Sequence, residues 1–445
     1  MRVFKIINLL VLSFILWTSS CSDNGGQDVD MPDPKPEQPA QVEEAVYDET
    51  GCLYTSYTEL VMAGYQGWFA AEGDDSNRGW YHYKNDCGFF PGCSTIDMWP
   101  DMAEYEKKYL SPFEHADGSP AYLYSPYDAE SVDLHFKWMK EHGIDGVHMQ
   151  RFVAEIHSSN EKGKRHFNKV LENALKAAKK YDRAISIMYD LSGSNSERVA
   201  YVEKDWNEIV EKFNLFDNFE HPTYLRHNGK PMMSIWGVGF DDNREYNTND
   251  VSKLVVKLKG PTNKVSIMLG VPYYWRTFGN DTENNPAFHD LIRQVDVIMP
   301  WAVGRYNIDS YNANIVSQDI EWTEKNDVDY VPLVFPGFTW GNMRKDPSLY
   351  NQIPRAKGDF LWKQIAGAKL NGAKSLYVAM FDEIDEGTAI FKVKLENEVP
   401  QNGDDGGKFV GIEKDLQTDY YLWLTGQGAN WFHNDGNYSI SKPIR

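Results

Sequence analysis

Eight short apolar runs, separated by polar stretches and segments of helical period, constrain the fold of this chain more than any other feature. The runs fall at 59–69, 144–152, 184–190, 231–238, 265–271, 295–301, 330–335 and 375–381. Between them, apolar residues recur at helical spacing over 131–142, 163–181, 197–213, 287–294 and 354–370, with Pro354 suited to a first helical turn and Gly372 to a stop. Strands that alternate with such helices run parallel, because a parallel pair needs a long crossover, and those crossovers are right-handed. Eight units of this kind predict an α/β fold, a single (β/α)8 barrel of the TIM class.

Two βα connections are oversized: 70–127 after the first predicted strand, and 383–414 after the last, before a closing helix near 420–424. Long loops on the C-terminal face of a barrel build substrate clefts.

The N-terminus reads separately. Two basic residues precede the apolar stretch 6–17, too short to span a bilayer, and Thr18-Ser19-Ser20 leads into Cys21. This predicts a lipoprotein signal over 1–21 with lipid attachment at Cys21, ordinary signal cleavage being the alternative. Residues 22–50 read as a flexible tether, poor in large apolar side chains through residue 46, and 51–445 as the catalytic domain. The expected location is a bacterial cell envelope, with membrane contact only through the lipid.

A net charge of −20 argues against nucleic acid and anionic membrane surfaces as partners. Aromatic residues make up 14% of the chain, 14 of them Trp, more than a core requires and suited to a cleft lined with flat apolar faces. Outside the signal three cysteines remain, Cys52, Cys87 and Cys93, so one disulfide at most can form, and Cys87 and Cys93 enclose a Gly/Pro-rich stretch where a small loop could close. Neither a second Cys pair nor a His at finger spacing accompanies them, so no metal or other cofactor is expected.

Polar and aromatic residues end nearly every predicted strand. Tyr65, Gln66 and Trp68 close the first, Gln150 and Arg151 the second, Tyr189 and Asp190 the third and Trp236 the fourth. Tyr274 and Trp275 follow the fifth, Trp301 ends the sixth, and Trp340 follows the seventh. Each taken singly could be packing; their recurrence on one rim points to an oligo- or polysaccharide ligand.

Charge chemistry selects among them. Glu383 and Glu386 stand three residues apart just beyond the last predicted strand. Glycoside hydrolysis needs one carboxylic acid to protonate the leaving oxygen and a second carboxylate as base or nucleophile, and repulsion between two such groups keeps a proton on one of them. Asp382 and Asp385 are also acidic, so a solvated acidic turn competes with this reading. A divalent metal site competes more weakly, because no histidine joins the cluster.

The segment Glu383-Ile384-Asp385-Glu386-Gly387-Thr388 resembles the Glu-x-x-Glu-Gly-Thr motif of glycoside hydrolase family 99, the endo-α-mannosidases and endo-α-mannanases. Residues 64–69 and 146–152 are similar to the wider family 71/99-like group, and the resemblance spans about 53–424. It implies a (β/α)8 hydrolase of an α-linked glycan, an α-mannan-like one first. It also implies Glu383 as the base that draws the proton from the sugar 2-hydroxyl, so that the sugar's own oxygen attacks the anomeric carbon, and Glu386 as general acid and later base. Where family 99 carries Trp and His between the glutamates, with Trp-Asn before them, this chain has Ile384 and Asp385 preceded by Phe381-Asp382. Other sugars (α-glucan, xylan, arabinan) and a catalytically inactive glycan-binding lipoprotein are the alternatives. The chain is expected to act as a monomer, with other glycan-utilisation proteins as candidate partners.

Overall fold

The computed structural model describes residues 47–261, 263–403 and 407–445. The signal at 1–21, its Cys21 and the tether as far as residue 46 lie outside the described residues. Eight βα units follow one another. The barrel strands are β1 Val61–Tyr65, β2 Gly146–Phe152, β3 Ala184–Asp190, β4 Lys230–Trp236, β5 Ser266–Pro272, β6 Val297–Trp301, β7 in two pieces, Asp329–Tyr330 and Leu333–Val334, and β8 Leu376–Val378. Their helices are α1 Ala129–His142, α2 Glu161–Tyr181, α3 Ser196–Phe213, α4 Thr248–Leu258, α5 Ala287–Ile292, α6 Asn314–Glu324, α7 Asp359–Leu370 and α8 Tyr420–Phe432.

All pairings between successive barrel strands are parallel. Closure depends on β7. Its first piece pairs with β6 and its second with β8, while Val331 N–H between them donates to Ile298 O at 2.9 Å. Because β8 pairs onward with β1, Val61 opposite Leu376, the sheet closes on itself.

Side chains alternate across each strand, which gives two apolar layers. Val61, Ala63, Val147, Ile187, Ile235 and Leu269 belong to the layer shared with the surrounding helices. Met62, Met188, Met232, Met268, Met299 and Tyr377 fill the lumen, where flexible thioethers suit an irregular interior. Each fully buried apolar side chain contributes about 1.5–3 kcal/mol relative to exposure. No helix among the described residues is long and apolar enough to cross a membrane.

Helix α2 shows how the pattern becomes structure. Phe167, Val170, Leu171, Ala174, Leu175 and Ala178 recur at spacings of three and four and are buried, while Asn160 caps the start by accepting the Gly163 N–H at 2.9 Å. Helices α4 and α6 were not anticipated. An Asn/Asp-rich approach hides α4, although the capping box of Asn247 and Asp250 is its start signal. Helix α6 buries only Val316, Asp319 and Thr323, so its periodicity is weak. The 70–127 excursion contains an unanticipated hairpin, Tyr109–Glu114 with Pro120–Leu123, and the Cys87–Cys93 disulfide. Pro354 does not open a helix: a turn over Ala356–Gly358, with Lys357 at φ 49°, intervenes before α7 begins at Asp359. Gly372 does follow the end of α7, at φ 96°.

Candidate active site

The segment after β8 is tied down on all sides before it presents any chemistry. Phe381 N–H donates to Gly64 O at 2.7 Å, and the Asp382 carboxylate accepts the Gln66 and Gly67 N–H groups at 2.7 and 2.9 Å, binding the ends of β8 and β1 together. From the 70–127 excursion, the Asp97 and Met98 N–H groups both reach Ile384 O at 3.0 Å. From the β7 loop, Thr339 N–H donates to Glu386 O at 3.0 Å, and Arg355 Nη2 to Gly387 O and Ala389 O at 2.8 and 2.6 Å. Gly387 turns the chain at φ 63°, and a Cβ there would lie 2.1 Å from Thr339 Cγ2, so both conformation and space require glycine.

This loop holds its two glutamates differently. Glu383 is buried, and each of its carboxylate oxygens receives a donor: Gln66 Nε2–H on Oε1 and the Thr388 hydroxyl on Oε2. Glu386 lines the cleft, and no protein group donates to its carboxylate among the described residues. Burial raises Glu383 well above the usual carboxylate range, with the Glu386 and Asp385 charges adding to the rise and its two hydrogen bonds opposing it. Burial, then Asp385 and Asp190, push Glu386 up to about 7. The pair therefore loses its two protons in separate steps and retains one into the neutral range.

Around the glutamates lies a cleft of about 410 Å³, whose lining includes Gln66, Trp68, Gln150, Asp190, Trp236 and Trp301. These predicted residues come together because they sit on the lumen side of their strands or just beyond the strand ends. Trp236 fits because β5 carries Gly270 beside it, where a Cβ would stand 2.4 Å from the indole Cδ1. Four buried polar atoms of the lining have no hydrogen-bond partner: the indole N–H groups of Trp68 and Trp236, and Oε1 of Gln66 and Gln150. Two donors and two acceptors left open in one cleft suit a polyhydroxylated ligand.

Six predicted site residues are elsewhere, and for Tyr65, Arg151 and Tyr189 strand alternation is the reason. Tyr65, Arg151, Tyr189 and Trp275 are fully buried between sheet and helices. Tyr65 OH bonds His135 Nδ1 at 2.8 Å, Arg151 makes two 2.8 Å bonds to Asp205, Tyr189 OH donates to Asp205 at 2.9 Å, and Trp275 Nε1–H donates to Asp319 at 3.3 Å. Gln150 and Arg151 are neighbours on one strand, as are Tyr189 and Asp190, so only one of each couple can face the lumen. Tyr274 and Trp340 are half-buried outside the cleft lining, Tyr274 edge-on to Tyr273 and Trp340 packed on Phe338.

Sequence reasoning missed His82, Phe152 and Glu155, which also line the cleft. Trp68 stacks on His82 at 3.9 Å and on Phe152 at 4.8 Å. Glu155, in the short helix Val153–Ile156, accepts Arg78 Nη2 at 2.5 Å and the Tyr81 hydroxyl, clasping the 70–127 excursion to the β2 loop. His82 and its neighbours had no local sequence signal, because they lie inside a long irregular connection. No cluster suited to hold a metal ion occurs among the described residues.

No family model and no curated protein matches the sequence. Among solved structures, the chain is similar to the GH99 endo-alpha-mannosidase from Bacteroides thetaiotaomicron in complex with bis-tris propane, at 16% identity and a TM-score of 0.60, covering 85% of this chain and 98% of that one. A second structure of the GH99 endo-alpha-mannosidase from that organism gives 13% identity and the same TM-score, covering 85% and 99%. The two folds are alike. The likeness extends over nearly the whole of those chains.

Proposed function

We propose that this chain is a glycoside hydrolase that cleaves an α-linked glycan, an α-mannan-like one first, with Glu386 as general acid and Glu383 as base. The observation that carries the reading is the asymmetry of the pair: both Glu383 oxygens are fixed by Gln66 and Thr388, whereas the Glu386 carboxylate opens unpartnered on the cleft. A fixed carboxylate suits proton removal at a defined atom of the sugar ring. A free one, pushed up to about 7, suits donation to a departing oxygen in the form that carries the proton. In this scheme Glu383 takes the proton of the 2-hydroxyl, whose oxygen attacks the anomeric carbon as Glu386 protonates the leaving oxygen. Water then opens the ring so formed, giving its proton to Glu386 while Glu383 returns its own to the 2-oxygen. The open indole and amide groups of Trp68, Trp236, Gln66 and Gln150 support a hydroxyl-rich substrate.

Export with lipid attachment at Cys21 belongs to the same proposal, and the Cys87–Cys93 bridge favours an oxidising compartment. The test of function is release of reducing ends from α-mannans, α-glucans, xylans and arabinans by the wild-type protein. Silence across that panel overturns the reading. Retention of a Cys21→Ala variant in washed membranes would overturn the anchor.

A further inference from the structure

Asp385 stands between the two glutamates in the chain, fully buried and outside the cleft lining. One of its oxygens, Oδ2, faces His82 Nδ1 at 3.4 Å, and the other, Oδ1, has no side-chain partner. Burial pushes this carboxyl up to about 7, and the backbone N–H groups of Asp385 and Glu386 oppose the rise. An ionised carboxylate only accepts, so with Asp385 as the anion the imidazole hydrogen of this contact sits on Nδ1. His82 arrives from the 70–127 excursion in the left-handed region, φ 60°, with its ring flat against Trp68 at 3.9 Å and 7°. A residue with a Cβ stays in that conformation only where its surroundings hold it.

The charges around this contact are one-sided. Asp385 is faced by Asp382, Glu383 and Glu386 on its own loop, and by Asp97 and Tyr83 from the 70–127 excursion. Asp190, the last residue of β3, adds to the charge facing Glu386. Asp97 is held by Thr339, Gly341 and Asn342, and Asp382 by Gln66 and Gly67. His82 is faced by Arg78 and Glu155, which pair with each other. Burial holds its imidazole below the usual value, and with 27% of the side chain still open, solvent moderates that shift. His82 therefore acts on Asp385 as a neutral donor.

We propose that His82 and Asp385 form a positioning pair: His82 holds Asp385 as an anion behind the two glutamates, and that charge keeps the transferable proton on the Glu383/Glu386 pair. The inference rests on the reading of the chain as a hydrolase. Neither residue needs to touch the substrate for this role. Asp385 acts through the glutamates, and His82 acts through Asp385.

The experiment is the pH dependence of kcat/KM on a glycan that the wild type cleaves, for Asp385→Asn, His82→Ala and His82→Asn. Removing the Asp385 charge lets both glutamates ionise more readily, so both limbs of the bell move to lower pH, the alkaline limb by roughly one unit. His82→Ala moves the alkaline limb the same way by less. His82→Asn restores it, because its amide N–H overlays Nδ1 and Asn tolerates the left-handed backbone. If Asp385→Asn does not fold, the comparison of the two His82 variants decides. Activity lowered equally at every pH, with limbs unmoved, assigns both residues a structural role and overturns the inference alone. Wild-type silence on every glycan overturns the hydrolase reading and the inference with it.

Discussion

Gln66 donates its side-chain Nε2–H to Oε1 of Glu383 and its backbone N–H to Asp382, so one residue at the end of β1 sets the position of Glu383 across the barrel seam. Replacing it with Ala leaves Glu383 held by Thr388 alone. The Gln66 bond favours the ionised carboxylate, so its loss raises Glu383 further and moves the pH profile of kcat/KM to higher pH. A pH–rate profile of Gln66→Ala checks this; a profile that stays in place contradicts it.

Arg151 looked like a ligand contact in the sequence and is an internal ion pair in the structure. Its bidentate bonds to Asp205 are buried, so Arg151→Met leaves that carboxylate with only the Tyr189 hydroxyl at 2.9 Å and Lys164 Nζ at 3.9 Å. The expected cost is about 3–5 kcal/mol of stability, read as a fall in the midpoint of denaturant unfolding, with KM unchanged in the protein that remains folded. A raised KM at wild-type stability would put Arg151 back in the cleft.

His166 links pH to stability next to the site. Its Nε2–H donates to Gly67 O at 2.8 Å, and burial holds the imidazole down to about 3, against 6.5 when exposed. Between those values the unfolded chain binds a proton that the folded chain does not, so this contribution to stability is present above pH 6.5 and is lost as pH falls. His166→Gln keeps a donor for the carbonyl and removes the titration. Unfolding free energies at pH 7 and pH 5 should then differ less in the variant than in the wild type; an equal or larger difference contradicts the assignment.

The barrel was legible because its signal repeats. Each apolar run came within a few residues of its strand, since a run buried on both faces needs no alternation to be recognised. The glutamate pair was legible because the chain order places it after the last strand, where barrels keep their chemistry. What escaped was direction and distance. Choosing between Gln150 and Arg151, or Asp190 and Tyr189, needs the register of the strand relative to the lumen, which a continuous apolar run does not reveal. His82 and Glu155 became cleft residues only through contacts across the 70–127 excursion, where local sequence carries no period.

The measurement that bears most directly on the account compares the wild type, Glu383→Gln and Glu386→Gln on two substrates of the same sugar: the glycan itself and an aryl glycoside whose leaving group needs no proton. Both variants are expected to lose about 10²- to 10⁴-fold on the glycan, and Glu386→Gln to recover most of its bond-cleavage rate on the aryl glycoside while Glu383→Gln does not. Wild-type rates on the glycan in either variant, or equal recovery of both on the aryl glycoside, would contradict the roles assigned to the pair.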